Sequence, residues 1–332
     1  MILSIIIPHK NSSALLERLL MSIPSNDEFE VIVVDDNSKK CEKENLCKIV
    51  STYKFHLYEM KNNVGAGACR NLALKKAKGE WVLFADSDDY FISNMYEIIS
   101  EGLKSKADIV YFRTDSIYND TGKQAYRHEN YNQLIDTYLM NKNAENLKFK
   151  FLVPWAKLFK RSLISSCGAV FEEIPAGNDM NFSVLVALSA HSVEIVDKVL
   201  YIVTVSRGSI TTTFSKEKFD SRFQASVRCN RLLREHGMGK YQQSILYFIV
   251  KGYKFGFKYL IHMWVIILKT KSNPFIGFSK LVHYKKVLQD RENPRYLPVP
   301  ADGVCGRSFQ EDNPPKHCKI QRFFLSALNR NG

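Results

Sequence analysis

Residues 81–91 read WVLFADSDDYF: five apolar or nearly apolar positions, Trp81 to Ala85, run directly into four polar ones, three of them carboxylates. A run of that length suits a strand buried on both faces, so the chain delivers a cluster of negative charge to one strand's carboxyl end. In an extended segment positions two apart project to the same side. Asp86 and Asp88 can therefore reach one object, and carboxylates that close repel unless a cation lies between them. A divalent ion with hard oxygen ligands, Mn²⁺ or Mg²⁺, meets that need and leaves positions open to phosphate oxygens. The same residues also suit a plain polar turn, since Asp and Ser are turn formers.

The neighbouring sequence separates the two readings. Residues 3–7 read as a short buried strand, 8–12 as a loop, and Ser13 as the cap of a helix whose Leu15, Leu16, Leu19, Leu20 and Ile23 form one apolar stripe. Residues 29–34, FEVIVV, are a second buried strand, and it too ends in carboxylates, Asp35 and Asp36. A third strand is expected over 54–58, a helix over about 66–78, another over about 94–103 and a strand over 108–112. Alternating strands and helices imply a doubly wound, mostly parallel sheet, and such sheets bind ligands outside the carboxyl ends of their strands. Three strands place polar residues at that edge: 8–11, 35–38 and 86–89. That coincidence favours a ligand site over a turn. No G-x-G-x-x-G follows the first strand and no G-x-x-x-x-G-K-[ST] occurs, so phosphate has to be held by metal and basic side chains.

At 332 residues the chain exceeds one ordinary domain, and its net charge of +13 is unevenly placed. Residues 1–214 hold 25 Lys/Arg against 26 Asp/Glu, and residues 215–332 hold 22 against 8. Between residues 240 and 289 there are nine Lys or Arg, eleven aromatics and no carboxylate, while the longest uncharged apolar run, 259–268, is about half a bilayer span. Such a segment suits helices lying in the interface of an anionic membrane; no recognised nucleic-acid motif accompanies it, and nucleic acid is not expected as a partner. The proline-bearing residues 290–332 read as a loosely ordered tail whose Cys305, His317 and Cys318 make no convincing metal site. Seven cysteines without a Cys-x-x-Cys point to reduced thiols. Residues 1–7 are too short for a signal-peptide core, so a cytoplasmic location on the inner face of the membrane is expected.

The ordered set SIIIPHKN, VIVVDDNS, NNVGAGACRNLALKKAKGEW, FADSDDYF, PWAKLFKRSLI, GNDMNF and SRGSIT resembles the inverting family 2 glycosyltransferases of the GT-A fold, over about residues 1–213. The resemblance implies an α/β, Rossmann-like GT-A sheet followed by a basic, mainly helical extension. It implies transfer of one sugar from a nucleotide diphosphate sugar, UDP-linked by expectation, to a glycan or lipid-linked acceptor of a bacterial surface polysaccharide. Pro8, Asn11 and Asp36 map onto the nucleotide-base contacts, Arg70 onto the arginine near the nucleotide, Asp86 onto the ribose contact, Asp88 onto the metal ligand and Asp179 onto the general base. His9 and Lys10 depart from the family's usual small apolar residue and Tyr, and Asn178 stands where many members have Glu. The Gln-x-x-Arg-Trp motif of processive synthases is absent, which favours one sugar per encounter.

The chemistry agrees with the resemblance: a leaving diphosphate needs neutralising and an acceptor hydroxyl needs deprotonating. Asp179 stands at the start of an apolar helical stretch, 180–188, where it suits a base or, more simply, a helix cap. Trp155 and Lys157 are candidates for the acceptor site and Arg207 for the diphosphate. The organisation expected is 1–115 for nucleotide-sugar binding, 116–214 for acceptor and base, 215–289 for membrane association and 290–332 for the tail. Two other classes fit less well. A two-component receiver needs an Asp after its third strand and a Lys after its fifth, and a sugar nucleotidyltransferase needs a Gly-rich, Arg-containing N-terminal loop.

Overall fold

The computed structural model describes residues 1–206 and 215–276. In chain order it forms β1 (Leu3–His9), α1 (Ser13–Met21), β2 (Phe29–Asp35), α2 (Lys40–Thr52), β3 (His56–Glu59), α3 (Ala66–Lys76), β4 (Trp81–Phe84), β5 (Tyr90–Phe91) and α4 (Met95–Leu103). There follow β6 (Ile109–Tyr118), α5 (Glu129–Asn141), α6 (Ala144–Lys150), β7 (Lys157–Lys160), α7 (Arg161–Cys167), α8 (Met180–Ser189) and β8 (Val193–Val205). The helices α9 (Lys216–Glu235), α10 (Leu246–Gly252) and α11 (Phe257–Lys269) complete it. The apolar runs of β1, β2 and β4 are buried along their whole length, as strands covered on both faces must be. Ser13 proves to be the first residue of α1 rather than its cap. Its N–H goes to Glu42 Oε2 at 2.9 Å, and Ser12 holds the cap position without a side-chain bond.

Eight strands pair in the order β3-β2-β1-β4-β7-β6-β8-β5. The chain leaves β1 towards β2 and β3 on one side and returns to β4 on the other, so β1 is the topological switch point at which such sheets bind ligands. These strands are parallel, with His9 opposite Asp35 and Ile6 opposite Phe84, so their carboxyl ends share one edge. β7 runs antiparallel between β4 and β6, and β8 pairs parallel with β6 across a bulge near Arg113. β6 crosses residue 115 unbroken.

One apolar core serves the whole sheet. Within it Phe84, at the end of β4, packs edge-on against Phe171 and Phe182, which stack on each other with ring centroids 3.9 Å apart. This packing lays the 171–179 segment beside the acidic end of β4. The described part of the basic extension, 215–276, is mainly helical, as expected. α9 packs on α8 through Cys229, Leu233, Val184 and Ala187, and Arg228 pairs with Glu172 at 2.6 Å. α10 and α11 close a separate cluster against α9. Among the described residues no helix is long and apolar enough to cross a membrane, and Cys41, Cys47, Cys69, Cys167 and Cys229 are free thiols. Residues 277–289 of the expected membrane segment and the whole 290–332 stretch lie outside the described residues.

Candidate active site

At the ends of β1 and β2 the chain builds a buried polar clamp. His9 Nδ1 lies 2.9 Å from Asp35 Oδ1, while the Ser12 N–H donates to His9 Nε2 at 3.2 Å, which places the ring proton on Nδ1, facing Asp35. Burial opposes the charge on Asp35, but hydrogen bonds from His9 and Ser38 outweigh it and hold the carboxyl below its ordinary range. His9, unusual for the family by sequence, thus locks two strand ends together. Pro8 is buried beside it on β1. Asn11, at a φ of 51°, accepts from the Lys39 N–H and donates its own N–H to Ser38 Oγ, both at 2.8 Å. Asp36 accepts the N–H groups of Val64 at 2.7 Å and Gly65 at 3.1 Å, with Lys10 Nζ 3.5 Å away. Asn11 and Asp36 therefore shape the loops that line this edge.

The Val64–Arg70 stretch carries the site across to the second half of the sheet. Gly65 takes a φ of 88° at the start of α3, a conformation that favours glycine. A Cβ on Gly67 would collide with the Glu172 carbonyl, so glycine there lets α3 lie against the 171–178 segment. One turn on, Arg70 is buried and reaches both sides: Nη2 donates to Asp86 Oδ1 at 2.5 Å and Nη1 to Asn178 Oδ1 at 3.1 Å. Its guanidinium also lies over the Phe171 ring, 5.3 Å from the centroid. Asp179 follows. It occupies the cap position of α8 but makes no side-chain cap bond, so its carboxylate is not spent on the helix. Burial pushes that carboxyl up, with Arg70 and Lys157 pulling the other way.

The three carboxylates after β4 divide their tasks. Asp89 turns inward, accepts the Thr204 N–H at 2.7 Å and hydrogen-bonds the buried Tyr201 hydroxyl, which itself accepts the Asp86 N–H at 2.8 Å. Its carboxyl is pushed well above its ordinary range by burial and by Asp88 and Asp86. The backbone carbonyl of Asp88 is pinned by Thr204 Oγ1 at 2.6 Å and Arg18 Nη2 at 2.5 Å. The Asp88 carboxylate, by contrast, has no ion-pair partner among the described residues, and burial and Asp86 push its pKa up, with Arg127 and Arg18 as partial compensation. An acid raised by desolvation and a like charge fits a divalent cation. Among the described residues no group of three or more His, Cys, Asp or Glu gathers for a metal, so Asp88 would hold one only together with donor phosphate oxygens and water.

Three expected residues stand apart from this cluster. Trp155 and Lys157 are each 2% exposed, which removes them as the acceptor surface. Trp155 stacks on Tyr201 at 5.7 Å, and the Lys157 ammonium bonds the Phe151 carbonyl inside a cage of Tyr111, Phe151 and Phe159. Arg207 lies outside the described residues. Sequence reasoning missed Arg18, Tyr201, Thr204 and Arg127, none of which sits in a recognisable motif, and it assigned Asp89 no role.

A sheet that switches at β1, with acidic loops on the shared strand edge, is the architecture of the GT-A class of glycosyltransferases. Residues 4–168 match the family model described as Glycosyl transferase family 2, so the chain carries a glycosyltransferase family 2 domain. It is 30% identical over 221 residues to the poly(ribitol-phosphate) beta-N-acetylglucosaminyltransferase TarS of Staphylococcus aureus strain Mu50, which is 62% of this chain but 36% of that protein. A crystal structure of S. aureus TarS 1–349 in complex with UDP-GlcNAc shares the fold, with a TM-score of 0.60 and 21% identity over 89% of this chain and 90% of that one. So does the mannosyltransferase PcManGT from Pyrobaculum calidifontis in complex with GDP-Man and Mn²⁺, with a TM-score of 0.55 and 16% identity over 88% and 81% of the two chains.

Proposed function

We propose that the protein transfers one sugar, with inversion, from a UDP-linked donor to a glycan or lipid-linked acceptor of a bacterial cell-surface polymer, from the cytoplasmic side of the membrane. The observation that carries this reading is the Arg70 bridge, which sets Asn178 and Asp179 opposite Asp86 while leaving the Asp179 carboxylate uncapped. TarS, by its name, glycosylates a poly(ribitol-phosphate), and its crystal complex with UDP-GlcNAc supports a UDP-linked donor. Pro8, Asn11 and Asp36 frame the base, and Asp86 faces the ribose. A Mn²⁺ or Mg²⁺ held by Asp88 and the donor's phosphate oxygens would neutralise charge on the leaving diphosphate; the Mn²⁺ in the PcManGT complex supports that choice. Asp179 takes the proton of the acceptor hydroxyl as its oxygen attacks the anomeric carbon from the face opposite the diphosphate. The new glycosidic bond forms as the bond to the diphosphate breaks, and an α-linked donor yields a β-glycoside.

The test combines a screen of UDP, GDP and dTDP sugars with the Asp179→Asn variant. Loss of a general base costs about 10² to 10⁴ in rate. The variant should bind donor nearly as the parent does yet transfer that much more slowly. Asn is nearly as good a helix cap as Asp, so near-parental transfer would make Asp179 structural.

A further inference from the structure

α11 has two apolar faces, and among the described residues only one of them is covered. Met263 and Ile267 are buried against Phe219, Phe223 and Phe248, and Tyr259 bonds Asp220 of α9 at 3.0 Å. At about 100° per residue, Phe257, Ile261, Trp264, Val265 and Leu268 fall on the opposite side in a stripe about 100° wide. All five are exposed. Lys258, His262 and Lys269, also exposed, lie along one edge of that stripe. From His236 to Ile276 the chain holds six lysines and no carboxylate.

We propose that this stripe is a docking face for an anionic lipid bilayer, with α11 lying in the plane of the interface and its lysines on the headgroups. The charge selects this occupant. A second copy would set lysines against lysines with no carboxylate between them. Residues 277–332 carry ten Lys/Arg against five Asp/Glu and are no better matched. A nucleic acid would satisfy the lysines but leave the apolar stripe in water. At 13 residues, α11 lies on a membrane rather than across one.

The chain carries its own reporter. Of its three tryptophans, Trp81 and Trp155 are 1% and 2% exposed and Trp264 is 42% exposed, so a change in emission on binding belongs to Trp264. The full chain is mixed with vesicles of phosphatidylcholine alone and of phosphatidylcholine with phosphatidylglycerol. With the anionic vesicles the protein should float and its emission shift to the blue, and salt should weaken both effects. The paired change Phe257→Ser with Leu268→Ser should lower partitioning at least about tenfold through lost apolar burial. Lys258→Glu with Lys269→Glu should lower it by about fivefold or more per lysine. Donor binding and thermal stability should stay parental in both variants, since these side chains lie outside the site and face solvent. Binding indifferent to anionic lipid, or no binding at all, would overturn the proposal. So would Trp264 emission already blue-shifted without vesicles in a manner that rises with protein concentration, which marks a second copy as the occupant.

Discussion

Arg70 Nη1 and Asn178 Oδ1 are 3.1 Å apart although 108 positions separate them in the chain. Through the other arm of the guanidinium, 2.5 Å from Asp86, this bond ties the acidic loop after β4 to the residue next to Asp179. Asn178 makes the bond as a neutral acceptor where many family members carry a glutamate. The carboxylates nearest the bridge are therefore Asp86 on one side and Asp179 on the other.

A lysine at position 70 keeps the charge but lacks the planar fork that serves two acceptors at once. Arg70→Lys should lower both donor affinity and transfer, while Arg70→Gln should do so more strongly. The pH profile discriminates further. Burial already raises the Asp179 pKa, and Arg70 is the main group pulling it down, so with Asp179 as the base activity should be lost as pH falls through a value above its ordinary one. Removing the cation should move that acid limb higher still in Arg70→Gln, with Arg70→Lys closer to the parent. An acid limb that stays put in Arg70→Gln would count against Asp179 as the titrating base.

Asp88→Asn should leave the loop in place, because Thr204 and Arg18 hold the backbone carbonyl of that residue rather than its side chain. Divalent-ion-dependent donor binding and donor hydrolysis should fall together, by at least the roughly 10- to 100-fold that loss of an outer-shell partner costs a metal site. Chelation by EDTA should reproduce the effect in the parent. Full activity of Asp88→Asn in the presence of chelator would refute the metal role.

Lys157 makes a stability prediction with a definite sign. Burial pulls its pKa down from 10.5 to about 7, so between those values the native ammonium has lost its proton while the unfolded chain still holds one. The unfolded state then binds more protons, and stability rises with pH through this window, by about 1 kcal/mol per pH unit. Urea unfolding of the parent and of Lys157→Met should show the parent gaining on the variant from pH 7 to 10 and no relative change below about 7. The aromatic cage at 4.5 to 5.8 Å favours the charged form. A flat difference across the window would show that the cage outweighs burial.

The residues that made the fold and half of the site legible are those whose signal is local. The buried runs of β1, β2 and β4 announce strands because an apolar stretch with polar ends has few other uses. The alternation with helices then forces a parallel sheet whose carboxylates meet at one edge. Asp36, Asp86 and Asp88 become candidates that way, and the ordered motifs add Arg70 and Asp179.

Residues whose role depends on what packs over them could not be read in this way. In FADSDDYF the spacing pairs Asp86 with Asp88 but gives Asp89 no task. Only the fold sends Asp89 inward to Thr204, 115 positions away, and leaves the Asp88 carboxylate without an ion-pair partner among the described residues. Lys157 and Trp155 carry the composition of an acceptor surface. The bond from the Lys157 ammonium to the Phe151 carbonyl and the stacking of Trp155 on Tyr201 instead bury them, because β7 runs between β4 and β6. The sequence by itself determined which segments are strands and where their charges emerge, since hydrophobic periodicity is a property of the chain. The tertiary structure alone decided which of those charges are solvated, paired or left free for a ligand, because that depends on side chains brought together from about a hundred residues apart.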